Sequence, residues 1–513
     1  MSLPLLDESS LWSLVSARAR QTPDRLMLVD TRDRRITFGE FRARAERVAA
    51  GLWEMGVRDG TRVAWQLPTT IETIVLSLAL SRLGAIQIPI IHIYRQRELR
   101  FIAEETEAEL VITRSKWRGV DYQGLAAGVA GSMLTPPRLM VLDDDLPEGD
   151  PSVLPEPPSP VDSSTGRPVV RWYYYTSGTT SAPKGVRHSD QTLLAGALGL
   201  GSVVQATDQD VGSIAFPYAH IGGPDYIGMV LAYGVPTVVV EAFDPSQAID
   251  LYRRHGVTLA GGTTAFYTAL LKERRLRPDE PFIPSLRILV GGGAPKPPQV
   301  FFESLEEMEV PIVHGWAMTE CPMICCGSVV DTHEQLAYTE GKPVPGAEVK
   351  VVDPGVDGVG RLYVRGTMLF DGYVDTKLNA DVFDDDGWFD SGDLGYLRDD
   401  GHVVIAGRGK DVIIRKGETI SAKEIEDVLY RHPKITDVAV IGVTDRDRGE
   451  RVCAVIESAA GGDPLTLAEL GEFCRSAELI NQKIPEQLEM VDSLPRNATG
   501  KVDKNELRAL FNS

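Results

Sequence analysis

Residues able to hold an anion gather at Thr176, Ser177, Gly178, Thr179, Thr180, Ser181, Ala182, Pro183, Lys184 and Gly185, directly after the aromatic run Tyr173, Tyr174 and Tyr175. The pattern reads as a strand that stops and delivers a polar loop at its end. Small residues let the backbone approach a ligand, and N–H groups, hydroxyls and one lysine can then surround a phosphate. It is not a Walker A loop, since no G-x-x-x-x-G-K-[ST] string is present. On composition alone, a serine- and threonine-rich surface turn is an equal alternative. A second cluster, His314 through Gly315, Trp316, Ala317, Met318 and Thr319 to Glu320, offers an aromatic face, a hydroxyl and a carboxylate within one short loop. An indole can stack on a base, and a carboxylate can hold magnesium against phosphates. Asp393, between Gly392 and Leu394, is placed at a turn into a strand, where it could accept both hydroxyls of a diol; an ordinary Asx turn is the alternative.

Three further stretches carry cations or bare backbone. Gly291, Gly292, Gly293 and Ala294 end an apolar run and would offer a backbone-lined surface to a flat ligand, or simply a flexible turn. Gly407, Arg408, Gly409, Lys410 and Asp411 by themselves are a basic turn, and Lys501, on a glycine-bearing loop near the end, would ordinarily be a solvated charge. His220, in Phe216–Gly223, stands either at a ligand gate or in the core with its nitrogens satisfied by backbone.

Alternating strand and helix patterns must position these groups. Thr37 opens a helix that runs on to Gly51, Arg62–Leu67 reads as a strand, and a helix follows from about Glu72. Ile71–Ile91, the most apolar long segment, contains Glu72, Ser77, Ser81, Arg82 and Gln87; it fails as a membrane span and reads as a buried helix joined near Gly84 to a strand. Asp143–Pro168 is an exposed connection rich in proline and acid. After Gly341 the pattern turns β-rich, with strands at Glu348–Val352 and Gly360–Val364, and from about Lys410 it alternates again at the size of a small separate domain. The fold class is α/β, with largely parallel sheets.

With 513 residues the chain needs more than one core, and a net charge of -20 argues against nucleic acid or an anionic membrane as partner. Any polyanionic ligand must then be met by locally concentrated lysine and arginine. The five cysteines, Cys321, Cys325, Cys326, Cys453 and Cys474, have no framework or metal spacing and read as buried reduced thiols. Met1–Trp12 lacks a basic region followed by an apolar core, so no secretory signal is expected, and a cytoplasmic location is the default.

Taken in order from Tyr173 to Lys504, these motifs resemble those of the adenylate-forming superfamily of acyl-CoA synthetases, luciferases and adenylation domains. The resemblance implies a large N-terminal domain, residues 1–408, of α/β sheets with a β-rich portion, and a small mobile α+β domain, residues 409–513. It implies ATP, magnesium and coenzyme A as cofactors and a carboxylic acid as substrate. Thr176, Ser177, Gly178, Thr179, Thr180 and Lys184 would meet the phosphates. Gly292, Gly293, Ala294, Gly315, Trp316, Ala317, Met318 and Thr319 would surround the nucleotide, Asp393 the ribose, and Arg408 the ribose or phosphates. Glu320 would hold the metal, and Lys501 would bridge substrate carboxylate and phosphates, completing a catalytic set with Thr176, Lys184 and Glu320. The acyl pocket would involve His220, Gly222, Gly223, Gly291 and Ala317, Lys410 would be the hinge, and Gly417 would lie on the coenzyme A side. Four positions depart from the family pattern: Ser181 for glycine, Trp316 for tyrosine, Ala317 for glycine and Ser391 for threonine. Ala317 would narrow the pocket, whereas Ser391 keeps the hydroxyl.

The stretch Pro89–Arg95 is similar to enzymes that activate alicyclic acids; medium-chain fatty acids fit nearly as well, and aromatic acids stay open. The absence of a carboxylate among the pocket candidates disfavours amino acids. An acyl-AMP ligase loading a carrier protein, a luciferase-like oxidase and a non-catalytic binding relative are the rival readings. Oligomeric state is open, a homodimer included.

Overall fold

The computed structural model describes residues 3–176, 183–356, 358–409, 411–415, 418–446, 448–458, 463–496 and 501–512. Local signals set the elements. The Thr37 hydroxyl accepts the Glu40 N–H while the Glu40 carboxylate accepts that of Thr37, a reciprocal cap that starts the helix Phe38–Glu54. The helix Ile71–Leu83 is buried on nearly every side and stops at Gly84, whose φ of 70° lets the chain reverse into the strand Ile86–Pro89. Residues 143–168 form an irregular connection interrupted by one short 3-10 turn at Pro151–Val153.

Two large mixed sheets carry the N-terminal part. A six-stranded sheet runs Lys184–Ser189, Val170–Thr176, Ile86–Pro89, Arg62–Gln66, Leu110–Thr113 and Arg138–Val141; only its first pair is antiparallel. A nine-stranded sheet is parallel through Leu259–Gly262, Ile288–Gly292 and Ile312–Met318, then turns antiparallel at Cys321–Cys326. Each large sheet therefore leaves its parallel order at a hairpin that carries candidate chemistry. A four-stranded antiparallel sheet, Ala347–Val352, Gly360–Gly366, Phe389–Leu397 and Val403–Arg408, is the β-rich portion.

The main apolar core takes residues from Leu11 to Val403, and a second cluster takes residues from Ile413 to Ile484 around the helices Ala422–Leu429 and Leu467–Ser476. The chain is thus a large α/β domain with a β-rich portion followed by a smaller α+β domain. All five cysteines are buried free thiols.

Three sequence readings need correction. Lys184 is not part of the loop but the first residue of the returning strand, opposite Thr176. His314–Met318 is strand rather than loop, since it pairs with Ile288–Gly292 on one side and Cys321–Cys326 on the other; only Thr319 and Glu320 turn. Asp393 sits inside the strand Phe389–Leu397, next to a register shift at Leu394 and Gly395, rather than at its entrance.

One buried cation anchors the helix that follows His220. Arg18 is fully buried; its Nε donates to the Leu231 carbonyl at 2.6 Å and its Nη2 to that of Ala232 at 2.6 Å, the last turn of the helix Gly222–Tyr233. A cation there offsets the helix dipole and meets carbonyls at the helix end, of which that of Ala232 also accepts the Leu5 N–H at 2.9 Å. Arg18→Met would take from the Leu231 carbonyl its Arg18 donor and lower the unfolding free energy by about 2 kcal/mol, read as a fall in urea midpoint at unchanged slope.

Candidate active site

The hairpin of Val170–Thr176 and Lys184–Ser189 brings Thr176 opposite Lys184; Ser177, Gly178, Thr179 and Thr180 lie outside the described residues. The segment Phe370–Val374 is laced onto the returning strand. Asp371 N–H donates to the Arg187 carbonyl at 2.8 Å, Arg187 N–H to Gly372 at 3.1 Å, and Val374 N–H to Gly185 at 2.8 Å. Gly185 permits this approach, because a Cβ there would lie 2.8 Å from the Val374 side chain and 2.9 Å from the Tyr175 ring. The lacing sets the Tyr373 ring under Lys184, whose Nζ lies 5.1 Å from the ring centroid.

The hydroxyl of the same ring reaches Glu320. Its carboxylate is buried and accepts the Tyr373 hydroxyl at 2.8 Å, and its backbone carbonyl accepts Phe370 N–H at 2.9 Å. Burial raises the Glu320 pKa, while the Tyr373 hydrogen bond and the charges of Lys184 and Arg408 oppose the rise. His188 fixes the same turn from behind: its Nε2 lies 2.8 Å from the Thr319 carbonyl and its Nδ1 2.9 Å from the Thr192 hydroxyl. A carbonyl only accepts, so Nε2 carries the proton. Burial pushes the His188 pKa down to about 4, which keeps the imidazole neutral.

Asp393 lies at the third corner. Its Oδ2 accepts the Trp316 indole N–H at 2.8 Å, and its Oδ1 is 3.2 Å from Arg408 Nε, at the end of the neighbouring strand. Burial raises the Asp393 pKa, and Arg408 is the largest opposing influence. The glycine run beside it, of which Gly291 and Gly292 end a strand, has a packing cause as well: a Cβ on Gly292 would meet the Gly315 carbonyl at 2.4 Å, and one on Gly291 the Gly262 carbonyl at 1.6 Å. His314 Nε2 holds the Ala294 carbonyl at 2.9 Å, tying the end of that run to the next strand.

Lys501 reaches this cleft from the C-terminal domain, its Cε 4.0 Å from the point a Cβ on Gly293 would occupy. Burial, with the Lys501 charge as a second cause, lowers the His220 pKa to about 4. The Gly222 N–H donates to His220 Nδ1 at 3.3 Å, which leaves the proton on Nε2. Gly222 and Ala317 are partly exposed to the cleft; Gly223 is buried against the Tyr218 carbonyl, so it shapes the turn rather than lining a pocket. Lys410 and Gly417 lie outside the described residues.

The structure therefore gathers Thr176, Lys184, Glu320, Trp316, Asp393, Arg408, Gly293, His220 and Lys501 around one cleft. The arrangement can hold an extended polyanion between cations and place a second anion beside Lys501. Among the described residues no three His, Cys, Asp or Glu side chains converge to hold an ion by themselves. A buried carboxylate whose charge is disfavoured, with one oxygen satisfied, fits a magnesium ion shared with phosphates. Sequence reasoning missed Tyr373 and His188. Nothing beside Tyr373 in the chain marks it, for its partner Glu320 is 53 residues away.

Models of known families match almost the whole chain: that of AMP-binding enzymes covers residues 15–374, and that of the AMP-binding enzyme C-terminal domain residues 424–501. The medium-chain fatty-acid–CoA ligase of Escherichia coli is 28% identical over 520 residues, spanning 98% of this chain and 91% of that protein. The salicyl-AMP ligase / salicyl-S-ArCP synthetase of Mycobacterium tuberculosis is 31% identical over 520 residues, spanning 96% of this chain and 89% of that protein. The crystal structure of ATP-bound MatB from Rhodopseudomonas palustris matches with a TM-score of 0.86 at 28% identity, over 98% of this chain and 99% of that one.

The neutral His188 makes a pH prediction. Unfolded, it takes a proton near its ordinary value of 6.5; folded, only near 4, so the unfolded state binds more protons between those values. Its contribution to stability is complete above pH 6.5 and is lost as pH falls towards 4. His188→Asn should make the fall of unfolding free energy over that window shallower by about 1.4 kcal/mol per pH unit, measured by urea unfolding at a series of pH values.

Proposed function

The chain belongs to the AMP-binding enzyme family, and from that premise we propose that it is an acyl-CoA synthetase that activates a carboxylic acid with ATP. The observation that carries the reading is the convergence of Lys501, from the smaller domain, on the cleft that holds Glu320, Lys184, Asp393 and Arg408. In the first half-reaction a carboxylate oxygen attacks the α-phosphorus of ATP, the bond to the β-phosphate bridging oxygen breaks, and pyrophosphate leaves an acyl-adenylate. Thr176 and Lys184 bind the phosphates, Asp393 and Arg408 take the ribose, and Trp316 gives the base an aromatic wall. Lys501 offsets the charge that builds as one anion attacks another. Glu320 would hold magnesium, which would supply further charge compensation to the phosphates.

In the second half-reaction a thiol loses its proton and its sulfur attacks the acyl carbonyl, expelling AMP and leaving a thioester. We place the domain boundary at residues 408/409 and the hinge at Lys410, so that the smaller domain withdraws Lys501 and brings the Gly417 loop to the thiol side. The lining offered by His220, Gly222 and Ala317 is neutral, with no carboxylate to hold an amino group and no cation to hold a second carboxylate. An apolar monocarboxylic acid follows, an alicyclic or medium-chain fatty acid in preference. The relative named for medium-chain fatty acids supports this reading. One relative is named as a salicyl-S-ArCP synthetase, which favours a carrier-protein thiol as the second reading for the acceptor.

Purified protein with magnesium-ATP, coenzyme A and a panel of linear, alicyclic, aromatic and amino acids should yield one acyl-CoA family and AMP by mass spectrometry. Acyl-adenylate without thioester would move the acceptor to a carrier protein, and no AMP with any acid would overturn the proposal. Lys501→Ala should slow adenylate formation by about 100-fold or more while thioester formation from preformed acyl-adenylate stays near wild type. An equal fall in both halves would exclude the withdrawal of Lys501 between them.

A further inference from the structure

Lys184 and Glu320 carry opposite charges close enough to act on one another, yet they form no ion pair. Both contact Tyr373. Its ring faces the Lys184 ammonium at 5.1 Å, and its hydroxyl donates to Glu320 Oε1 at 2.8 Å. The ring cannot turn aside. It is 2% exposed, packed edge-on to Phe370 at 4.9 Å, and its own N–H is held by Asn379 Oδ1 at 2.9 Å. The flanking main chain is bonded to Gly185, one residue from Lys184, and to Glu320 itself through Phe370.

We propose that Tyr373 is a positioning residue that keeps the phosphate lysine and the metal carboxylate apart, so that both are free when magnesium-ATP arrives. This inference rests on the reading of Lys184 and Glu320 given above. In a cleft shielded from water, a lysine and a carboxylate with nothing between them close into an ion pair, and each then withholds its charge from the ligand. The ring prevents the closure by volume and offers the ammonium a face that does not neutralise it. The hydroxyl occupies one carboxylate oxygen and leaves the other orientation fixed for the ion. Ring and hydroxyl thus have separable roles, the ring serving the phosphates and the hydroxyl serving the metal.

The test is calorimetric binding of ATP with and without magnesium, on full-length protein whose folding is checked by circular dichroism. Tyr373→Phe keeps the spacer and loses the hydroxyl. It should bind metal-free ATP as wild type does, while the gain in affinity on adding magnesium shrinks about tenfold. Tyr373→Ala lets the charges meet and should weaken metal-free ATP binding by about tenfold or more. Adding Glu320→Gln to Tyr373→Ala removes the partner of that collapse and should restore metal-free binding close to wild type, which repair of a general packing defect would not do. An unchanged magnesium effect in Tyr373→Phe overturns the proposal, and that arm stands even if the alanine variant fails to fold. So does a double variant no better than Tyr373→Ala. A wild-type chain that binds no ATP overturns the reading of the site itself, which sets that failure apart from failure of the spacer.

Discussion

Burial raises the free energy of the charged forms of Glu320 and Asp393, and much of the surrounding structure acts to offset it. Each carboxylate has a neutral side-chain donor, Tyr373 for Glu320 and Trp316 for Asp393, and Glu320 is also met by its own backbone N–H. Each also feels cations that come from distant parts of the chain: Lys184 and Arg408 for the first, Arg408 and Lys501 for the second. Neither is neutralised in full, and that residue of negative charge is useful only to a ligand that brings its own cation or its own hydroxyls. In a chain with a net charge of -20, a polyanion can be held only where such cations are concentrated.

The sheets explain how cations and carboxylates from far-apart segments share one cleft. Parallel strands deliver their C-terminal ends to one edge, the usual place for ligands in open α/β sheets. Here each large sheet departs from parallel order at that edge. Lys184 returns antiparallel to Val170–Thr176, and Cys321–Cys326 returns antiparallel to Ile312–Met318. The second return needs only the two residues Thr319 and Glu320 to turn, which suits groups that must not wander. His188 and Phe370 then clamp the Thr319–Glu320 turn from two sides, one through Thr319 and one through Glu320.

Local chemistry was legible in the sequence wherever a residue acts on its own neighbours. Thr37 capping a helix, Gly84 ending one, and the strand at Arg62–Gln66 all follow from signals within a few residues. The gathering of Lys184, Glu320, Asp393, Arg408 and Lys501 was legible as an ordered set of motifs, because their spacing is that of a resemblance rather than of any local rule. What stayed hidden was whether a polar stretch is loop or strand. Glycine, serine and threonine around Lys184 and Asp393 look like turn chemistry, but strand pairing overrides that preference, with one partner strand for Lys184 at its sheet's edge and two for Asp393. Tyr373 was invisible for a stronger reason, since an aromatic after a glycine has many uses and its use here is defined by two partners far along the chain.

The division into two cores has a chemical consequence. Lys501 belongs to a chain segment whose apolar neighbours, Leu494 and Leu507, pack with the strands of the smaller domain and not with the main core. Its position at Gly293 is therefore set by how the two domains sit, whereas Lys184 and Arg408 are fixed by sheets of the larger one. On the proposed reaction, the cation needed while two anions combine has no such pair to bridge once pyrophosphate has gone. On that reading, mounting this one charge on a separately packed domain lets it be taken away without disturbing Glu320, Asp393 or their side-chain donors. The proposed reaction thus sorts its cations by the core each is built on: Lys184 and Arg408 on the larger domain, Lys501 on the smaller.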